Sequence, residues 1–322
     1  MSGPDGGSAP SGGAPPVLVV AGPTGSGKSA MATAIAEAFD GVVINADAMQ
    51  VYRDLRVLTA RPTPDDEARV PHRLFGILSA RDPCSAGRWR ELALAAVDEA
   101  RAHGRLPIIV GGTGLYLRAL TRGLADVPAV PATVRTAAEQ RYRLLGGDAF
   151  RAELATLDPA AAHLPAGDRQ RLIRAWEVVH ATGRPLADWQ RDTPPVPLPG
   201  RSATLLLLPP RDRLYPALDA RFERMLAAGG LAEAAAISHL PLDLPAMKAV
   251  GVRQLVAHIR GEIGLDDACA GAKRETRRYA KRQLTWLRHQ TRADQAYFEQ
   301  FSESLQPHLF AFIRRFLLTP AA

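Results

Sequence analysis

Apolar positions along much of the chain alternate between short runs and segments with helical spacing. The short apolar runs predict buried strands at residues 17–21, 41–45, 106–110 and 203–208. Apolar residues three or four positions apart predict helices at residues 30–39, 89–103, 114–120 and about 214–228. Strands that alternate with helices are typical of βαβ units, so we expect a parallel sheet.

The pattern changes between residues 122 and 200, where no strand is predicted. Helical spacing recurs there in four segments, residues 134–145, 148–157, 168–182 and 186–191. Residues 192–200 contain four prolines and are typical of a linker. We therefore expect an α/β fold whose core, residues 16–121 and 201–310, is interrupted by an all-α insertion domain at residues 122–200. Further helices from about residue 230 to 292 complete this core, and the last thirty residues favour no element.

Positive charge is concentrated in one segment near the C-terminal end. The 322 residues carry a formal net charge of +7, and residues 273–292, with eight Lys or Arg and one acidic residue, carry as much. Helical spacing places basic residues near one face of this segment and Leu284 and Leu287 on another. A localised excess of positive charge favours a polyanionic partner. A solvated amphipathic helix is the alternative interpretation.

The composition predicts a globular protein of the cytoplasm. Hydrophobic residues make up 47% of the chain and charged residues 23%, which are ordinary values for a protein with a sizeable core. No apolar run reaches the roughly 18–20 residues of a membrane span, so we expect no membrane association. Residues 1–15 are rich in Gly, Ser and Pro and predict a disordered leader, since they lack the features of a secretory signal. Cys84 and Cys269 are too few for a disulfide framework.

Residues 22–29 match the phosphate-loop pattern G-x-x-x-x-G-K-[ST] between a predicted strand and a predicted helix. Glycines let the backbone curl until its N–H groups point at phosphate oxygens, and the helix N-terminus favours negative charge. Lys28 would neutralise the terminal phosphates, and Ser29 would offer its hydroxyl to Mg²⁺. We therefore expect a P-loop core that holds a di- or triphosphate through Gly22, Pro23, Thr24, Gly25, Ser26, Gly27, Lys28 and Ser29.

The second predicted strand leads to an acidic residue, Asp47. The carboxyl ends of parallel strands meet at one edge of a sheet, so Asp47 is expected to face the phosphate loop. The two later predicted strands end in Gly-Gly-Thr and Pro-Pro rather than in an acid, which disfavours an ATP-driven machine. A general base that acts on an acceptor nucleophile fits this position. A helix cap or a Mg²⁺-ordering carboxylate is the alternative.

The order of these motifs resembles that of the bacterial tRNA dimethylallyltransferases. The motifs that carry the resemblance are residues 22–29, 47–52, 59–62, 71–73, 111–113, 170–174, 221–222, 250–254 and 281–288. Together they extend from about residue 17 to about residue 290, which is nearly the whole predicted fold. The resemblance implies transfer of the dimethylallyl group from dimethylallyl diphosphate to N6 of adenosine 37 in tRNAs that read codons beginning with U. Diphosphate would be released.

The resemblance also implies roles for individual residues. Thr24 would lie at the bridging oxygen of the diphosphate, Asp47 would be the general base on N6, Thr113 would form a hydrogen bond near the reacting centre, and Arg221 would contact the diphosphate. The implied contacts with the tRNA anticodon stem-loop are Asp47, Ala48, Met49, Gln50, Arg135, Gln170, Arg171, Leu172, Ile173, Arg174, Lys248, Ala249, Val250, Gly251, Val252, Arg253, Lys281, Arg282, Gln283, Leu284, Thr285, Trp286, Leu287 and Arg288. We expect the enzyme to be a monomer.

Three positions depart from the pattern of the family. Ala48 stands where Ser is usual, Arg61 where Lys is usual, and Val252 where Tyr is common. Ala48 lacks a hydroxyl near the expected base, and Val252 lacks a ring that would stack on RNA. Neither change affects Asp47 or the phosphate loop, so we expect effects on tRNA affinity and base positioning rather than on the reaction.

Three other functions share part of this pattern. An adenylate isopentenyltransferase would use the same loop, but a free nucleotide needs neither the helical insertion nor the basic helix. A small-molecule kinase would also use the loop, and turnover of ATP without tRNA would favour it. An RNA-binding protein would explain the charge but not Asp47 beside a phosphate loop.

Overall fold

The structure, a computed structural model, describes residues 15–192 and 196–319. The leader predicted for residues 1–15 lies almost entirely outside the described residues. The chain divides into two compact units, Arg122–Pro197 and the segments on either side of it, up to residue 121 and from residue 198. None of the described helices is both long enough and apolar enough to cross a membrane.

A six-stranded parallel sheet forms the centre of the larger unit, in the order β3-β2-β4-β1-β5-β6. The strands are β1 Val17–Ala21, β2 Gly41–Asn45, β3 His72–Arg73, β4 Leu106–Gly111, β5 Ser202–Leu207 and β6 Gln295–Tyr297. Every residue of β1, β2 and β4 is buried, because helices cover both faces of the sheet. The four strands predicted from apolar runs are confirmed, within one residue at each end.

Twelve α-helices lie within the described residues. Those of the larger unit are α1 Lys28–Ala38, α2 Pro64–Arg69, α3 Ala86–Ala102, α4 Gly114–Thr121, α8 Arg211–Met225, α9 Leu231–Ile237, α10 Val252–Ile259, α11 Leu265–Gln290 and α12 Gln306–Leu318. Those of the smaller unit are α5 Ala132–Ala155, α6 Arg169–Thr182 and α7 Leu186–Asp192. The sequence pattern did not predict α2, α12, β3 or β6.

The smaller unit has a core of its own. Phe150 and Leu154 of α5 pack with Leu172 and Trp176 of α6, and all four side chains are buried. The two helices predicted at residues 134–145 and 148–157 form one element that breaks at Gly146, whose φ of 71° is readily adopted only by glycine. The all-α character predicted for this segment is confirmed over the described residues.

Candidate active site

The phosphate loop lies between the end of β1 and the start of α1. Gly25 and Gly27 have φ values of 78° and 85°, which turn the backbone into the left-handed region. A Cβ on Gly22 would lie 2.5 Å from the Ser26 hydroxyl oxygen, so the loop closes tightly on itself. The predicted strand, glycine-rich turn and helix are therefore all present, with their glycines where the turn requires them.

Residues of the C-terminal segment, Gln300 and Phe301, form hydrogen bonds with the backbone of this loop. Gln300 Nε2 donates a hydrogen bond to the Gly25 carbonyl at 2.8 Å, and the Phe301 N–H donates to the Ser26 carbonyl at 3.0 Å. The last thirty residues, which carry no clear sequence signal, thus hold the phosphate loop in shape.

Two polar groups of the loop, the Ser26 hydroxyl and the Lys28 amine, are perturbed by burial. Within the described residues, the buried Ser26 hydroxyl has no hydrogen-bond partner. Burial lowers the pKa of Lys28 to about 8, with Asp47 acting to raise it and Arg221 to lower it further. A bound anion would favour the charged form of Lys28. The loop is therefore suited to hold a phosphate group.

Asp47 is placed by a fixed turn at the end of β2. The buried Asn45 accepts a hydrogen bond from the Asp47 N–H at 2.8 Å and donates to the carbonyls of Asp47 and Leu74 at 3.0 and 3.1 Å. Asp47 Oδ1 in turn accepts the Met49 N–H at 2.9 Å. Asn45 was not among the predicted site residues, although its position two residues before the acid at a strand end is the signal that marks it.

Arg221 projects from α8 towards the phosphate loop, where its Nη1 donates to Thr24 Oγ1 at 3.2 Å. Burial lowers the pKa of Arg221, and the negative charge of Asp47 opposes this shift. Two of the residues predicted to act on the diphosphate are therefore in direct contact, with Asp47 close enough to influence both Arg221 and Lys28.

Thr113 forms a hydrogen bond with the backbone of the residue after Asp47. Its hydroxyl oxygen accepts the Ala48 N–H at 3.0 Å, and it also forms a side-chain hydrogen bond with Tyr279 of α11. Burial, reinforced by the charge of Asp47, raises the pKa of Tyr279, so this phenol stays protonated. Because Thr113 binds the main chain of residue 48, this contact is preserved although Ala48 lacks the usual hydroxyl.

Asp47, Thr24 and Arg221 meet on the wall of one cavity. Its lining consists of Thr24, Asp47, Met49, Leu58, Thr59, Leu218, Arg221, Phe222, Met225, Ala249, Val250, Thr276 and Tyr279. Most of these side chains are apolar, whereas the Asp47 carboxylate, the Arg221 guanidinium and the Thr24 hydroxyl provide polar groups. The cavity therefore offers an anion site beside a site for an apolar group.

Gln283 has a different role from the one implied for it. Its side chain is buried on α11, where Oε1 accepts the Thr24 N–H at 2.8 Å and Nε2 donates to the Gly112 carbonyl at 2.9 Å. A Cβ on Gly112 would lie 2.3 Å from Gln283 Nε2, so only glycine allows this approach. Gln283 therefore links the phosphate loop to the loop that carries Thr113.

The other predicted RNA contacts of α11 divide by burial. Leu284 and Leu287 are fully buried and belong to the core, so their side chains pack inside the protein. Trp286 is half-buried against Gly114. An open groove on the outer face of the helix is lined by Arg278, Lys281, Arg282, Thr285, Trp286, His289 and Gln290, and the neighbouring Arg288 is exposed.

The other predicted contacts of the larger unit divide in the same way. Lys248 and Arg253 are exposed, whereas Ala249 and Val252 are buried. Gln50 donates from Nε2 to the carbonyls of Thr59 and Ala60 at 2.8 and 2.9 Å, so its amide nitrogen serves the fold.

In the smaller unit, two predicted contacts share a buried carboxylate. Arg135 and Arg174 lie 3.0 and 3.4 Å from Glu177, which is only 2% exposed. Gln170 and Arg171 are exposed. The side chains of Leu172 and Ile173 are buried in the core of this unit.

The described residues hold no cluster of three or more His, Cys, Asp or Glu side chains that would bind a metal. Ser29 is exposed in the first turn of α1, beside the loop. A metal at this place would therefore take most of its ligands from phosphate oxygens and water, which is how Mg²⁺ is usually held beside phosphates.

Comparison with known proteins identifies the family. Models described as IPP transferase and isopentenyl transferase match residues 50–290 and 15–79. A tRNA dimethylallyltransferase of Rhodospirillum centenum is 56% identical over 282 residues, which cover 86% of this chain and 90% of the relative.

Solved structures agree with this assignment. A full-length tRNA isopentenylpyrophosphate transferase of Bacillus halodurans matches with a TM-score of 0.67 and 29% identity, covering 94% of this chain and 97% of that one. A eukaryotic dimethylallyltransferase acting on tRNA matches with a TM-score of 0.73 and 25% identity, covering 85% and 70%. The chain therefore belongs to the tRNA dimethylallyltransferase family.

Proposed function

We propose that the protein transfers the dimethylallyl group of dimethylallyl diphosphate to N6 of adenosine 37 in tRNAs that read codons beginning with U. The observation that carries this proposal is the cavity in which Asp47 lies beside the Thr24–Arg221 pair at the phosphate loop. Transfer of an allylic group to an amine requires a proton acceptor and a diphosphate site, both at one apolar cavity.

The diphosphate end of the donor binds the phosphate loop. Backbone N–H groups, Lys28 and Arg221 stabilise the charge that grows on the diphosphate as the allylic C1–O bond breaks. Thr24, which Arg221 contacts at 3.2 Å, lies at the bridging oxygen. This stabilisation is needed because the exocyclic amine of adenine is a weak nucleophile, so the leaving group must depart early.

Mg²⁺ fits the donor set at Ser29. The hydroxyl of this residue would hold the ion together with phosphate oxygens and water. When bound, the ion neutralises negative charge on the diphosphate and so improves it as a leaving group.

Asp47 receives the proton. As N6 forms its bond to C1, the C1–O bond breaks, diphosphate leaves, and the N6 proton passes to the Asp47 carboxylate. The Asn45 turn and the Met49 N–H orient this carboxylate, and Tyr279 and Thr113 hold the adjacent backbone. These contacts place the base.

The tRNA binds along the exposed side of α11 and at Arg135, Gln170, Arg171 and Arg174 of the smaller unit. Lys281, Arg282 and Arg288 contact phosphates, which makes affinity dependent on salt. Adenosine 37 must leave its stack before its N6 can enter the cavity.

The acceptor distinguishes this proposal from its alternatives. The protein would be incubated with radiolabelled dimethylallyl diphosphate, Mg²⁺ and either unmodified tRNA, an anticodon stem-loop or AMP. We expect label on both RNAs and none on AMP. Label on AMP alone would favour an adenylate isopentenyltransferase, and ATP turnover without RNA would favour a kinase.

A further inference from the structure

One wall of the cavity is formed by a loop, and the loop residues concerned belong to no strand or helix. Leu58 and Thr59 of this loop line the cavity, and Leu58 is 6% exposed. Ala60, directly after them, has a φ of 49°, which a residue other than glycine adopts only where its surroundings enforce it. The conformation of this wall must therefore be imposed from elsewhere.

The Gln50 amide holds the carbonyls of Thr59 and Ala60, and Glu233 of α9 holds the residues before them. Glu233 Oε1 accepts the N–H groups of Arg56 and Val57, the latter at 2.8 Å, and its Oε2 accepts the Leu58 N–H at 2.7 Å. Three consecutive amides thus bind one carboxylate, and hydrogen bonds to an ionised acceptor are among the strongest in proteins. The proposed transfer reaction makes no use of this carboxylate.

The same region packs directly on Leu58. A Cβ on Gly230, three residues before Glu233, would lie 2.9 Å from Leu58 Cδ2. Met225, at the end of α8, also lines the cavity. The segment that follows the Arg221 helix therefore carries both the carboxylate that holds the loop and the surface against which Leu58 rests.

We propose that Glu233 is a positioning residue that fixes the Leu58 wall and thereby restricts the donor to a five-carbon prenyl chain, an inference that rests on the proposed function. Leu58 and Met225 are bulky apolar side chains in the part of the cavity lining that would receive the alkyl group. A longer chain needs the space that Leu58 occupies. The diphosphate contacts lie on other residues, so chain length and diphosphate binding are separable.

The test compares dimethylallyl and geranyl diphosphate in competition for one tRNA, with product masses giving the ratio of the two transfers. Leu58→Ala opens the wall directly, and Glu233→Gln removes the negative charge that binds the three amides. Glu262→Gln, at an exposed position, is the matched control. Thermal unfolding and tRNA affinity of each variant verify that it is folded.

We expect Leu58→Ala to raise the ratio of geranyl to dimethylallyl product by about tenfold or more, the scale on which apolar pockets discriminate chain length. Glu233→Gln should raise the ratio less and increase the KM for dimethylallyl diphosphate, whereas the control should match the wild type. An unchanged ratio in folded Leu58→Ala, or in folded Glu233→Gln, would overturn this inference alone. Absence of any transfer by the wild type would instead overturn the proposed function.

Discussion

At the scale of single residues, the site depends on three charged side chains that influence one another. Burial depresses the pKa of both Lys28 and Arg221, and the carboxylate of Asp47 opposes each shift. The cations are therefore held in a state that a diphosphate would stabilise, and the Asp47 carboxylate accepts the Met49 N–H while Asn45 binds the backbone of Asp47. A substitution of each of these three residues should therefore have its own measurable effect.

Asp47→Asn keeps the shape of the side chain but removes the proton acceptor. General-base catalysis typically contributes about 10²–10⁴-fold, so kcat should fall by roughly that factor while dimethylallyl diphosphate still binds. Single-turnover rates across a Mg²⁺ series provide the measurement. Recovery to near the wild-type rate at high Mg²⁺ would show instead that Asp47 orders the metal.

Arg221→Ala removes a guanidinium that can bind two phosphate oxygens at once. We expect a higher KM for dimethylallyl diphosphate together with a lower kcat. Arg224→Ala is the matched control, because Arg224 lies on the same helix but is exposed. Steady-state kinetics in which Arg221→Ala behaves like Arg224→Ala would exclude the role in diphosphate departure.

The pKa of Lys28, about 8, predicts how donor binding depends on pH. Below this pH the Lys28 amine of the free enzyme is already charged. Above it, Lys28 must take up a proton when the donor binds, since the bound anion favours the charged amine. Affinity for dimethylallyl diphosphate should therefore fall as pH rises above about 8, by at most about tenfold per pH unit. Lys28→Arg, which stays charged, should give a flat profile from about pH 7 to about pH 10 in equilibrium titrations. Parallel profiles for both proteins would refute the prediction.

At the scale of elements, α11 has two faces with different tasks. Its buried face joins Thr24 to Gly112 through Gln283, and its exposed face carries Lys281 and Arg282. A single helix therefore supports the phosphate loop on one face and carries exposed positive charge on the other.

Substitutions on the two faces should weaken the binding of different ligands, the donor for the buried face and tRNA for the exposed face. Gln283→Met is close in shape but lacks both hydrogen bonds, each worth about 1 kcal/mol net, so the KM for dimethylallyl diphosphate should rise by about tenfold or more. The tRNA dissociation constant should not change. Arg282→Ala should weaken tRNA binding with little effect on the donor. If Gln283→Met weakens tRNA binding alone, its side chain contacts RNA after all.

Elements with a strong local pattern were predictable from the sequence, and long-range partners were not. Apolar runs predicted β1 and β2 with their observed bounds. The short strands β3 and β6 have no apolar run. Each is therefore recognisable only through its pairing with a neighbouring strand. The role of Gln283 was missed for the same reason, since its partners lie 259 and 171 residues away and a polar side chain in a basic helix suggests exposure.

At the scale of the whole molecule, residues 273–292, most of them in α11, carry as much positive charge as the whole chain. Some of this charge is already paired within the protein, since Arg277 and Lys273 bind Asp219 and Glu223. Lys281, Arg282 and Arg288 are exposed. These three are therefore among the residues from which a salt effect is expected.

Replacing Lys281, Arg282 and Arg288 together with Ala should weaken tRNA binding and reduce its dependence on salt. The slope of log affinity against log salt should decrease by about one for each phosphate that the variant no longer neutralises. Replacement of Arg81, Arg314 and Arg315, which are exposed on other elements, removes the same charge elsewhere. Equal slopes for the two triple variants would show that net charge, not this surface, drives binding.

The most direct test of the proposed reaction is the mass of nucleoside 37 after incubation of an unmodified tRNA with dimethylallyl diphosphate, Mg²⁺ and the protein. A matched tRNA with guanosine at position 37 controls for the site, and Asp47→Asn controls for the base. We predict that adenosine 37 gains one dimethylallyl group with the wild-type protein, far more slowly with Asp47→Asn, and that the guanosine tRNA gains none. An unmodified adenosine 37 with the wild-type protein, or modification at another nucleoside, would contradict the proposed function.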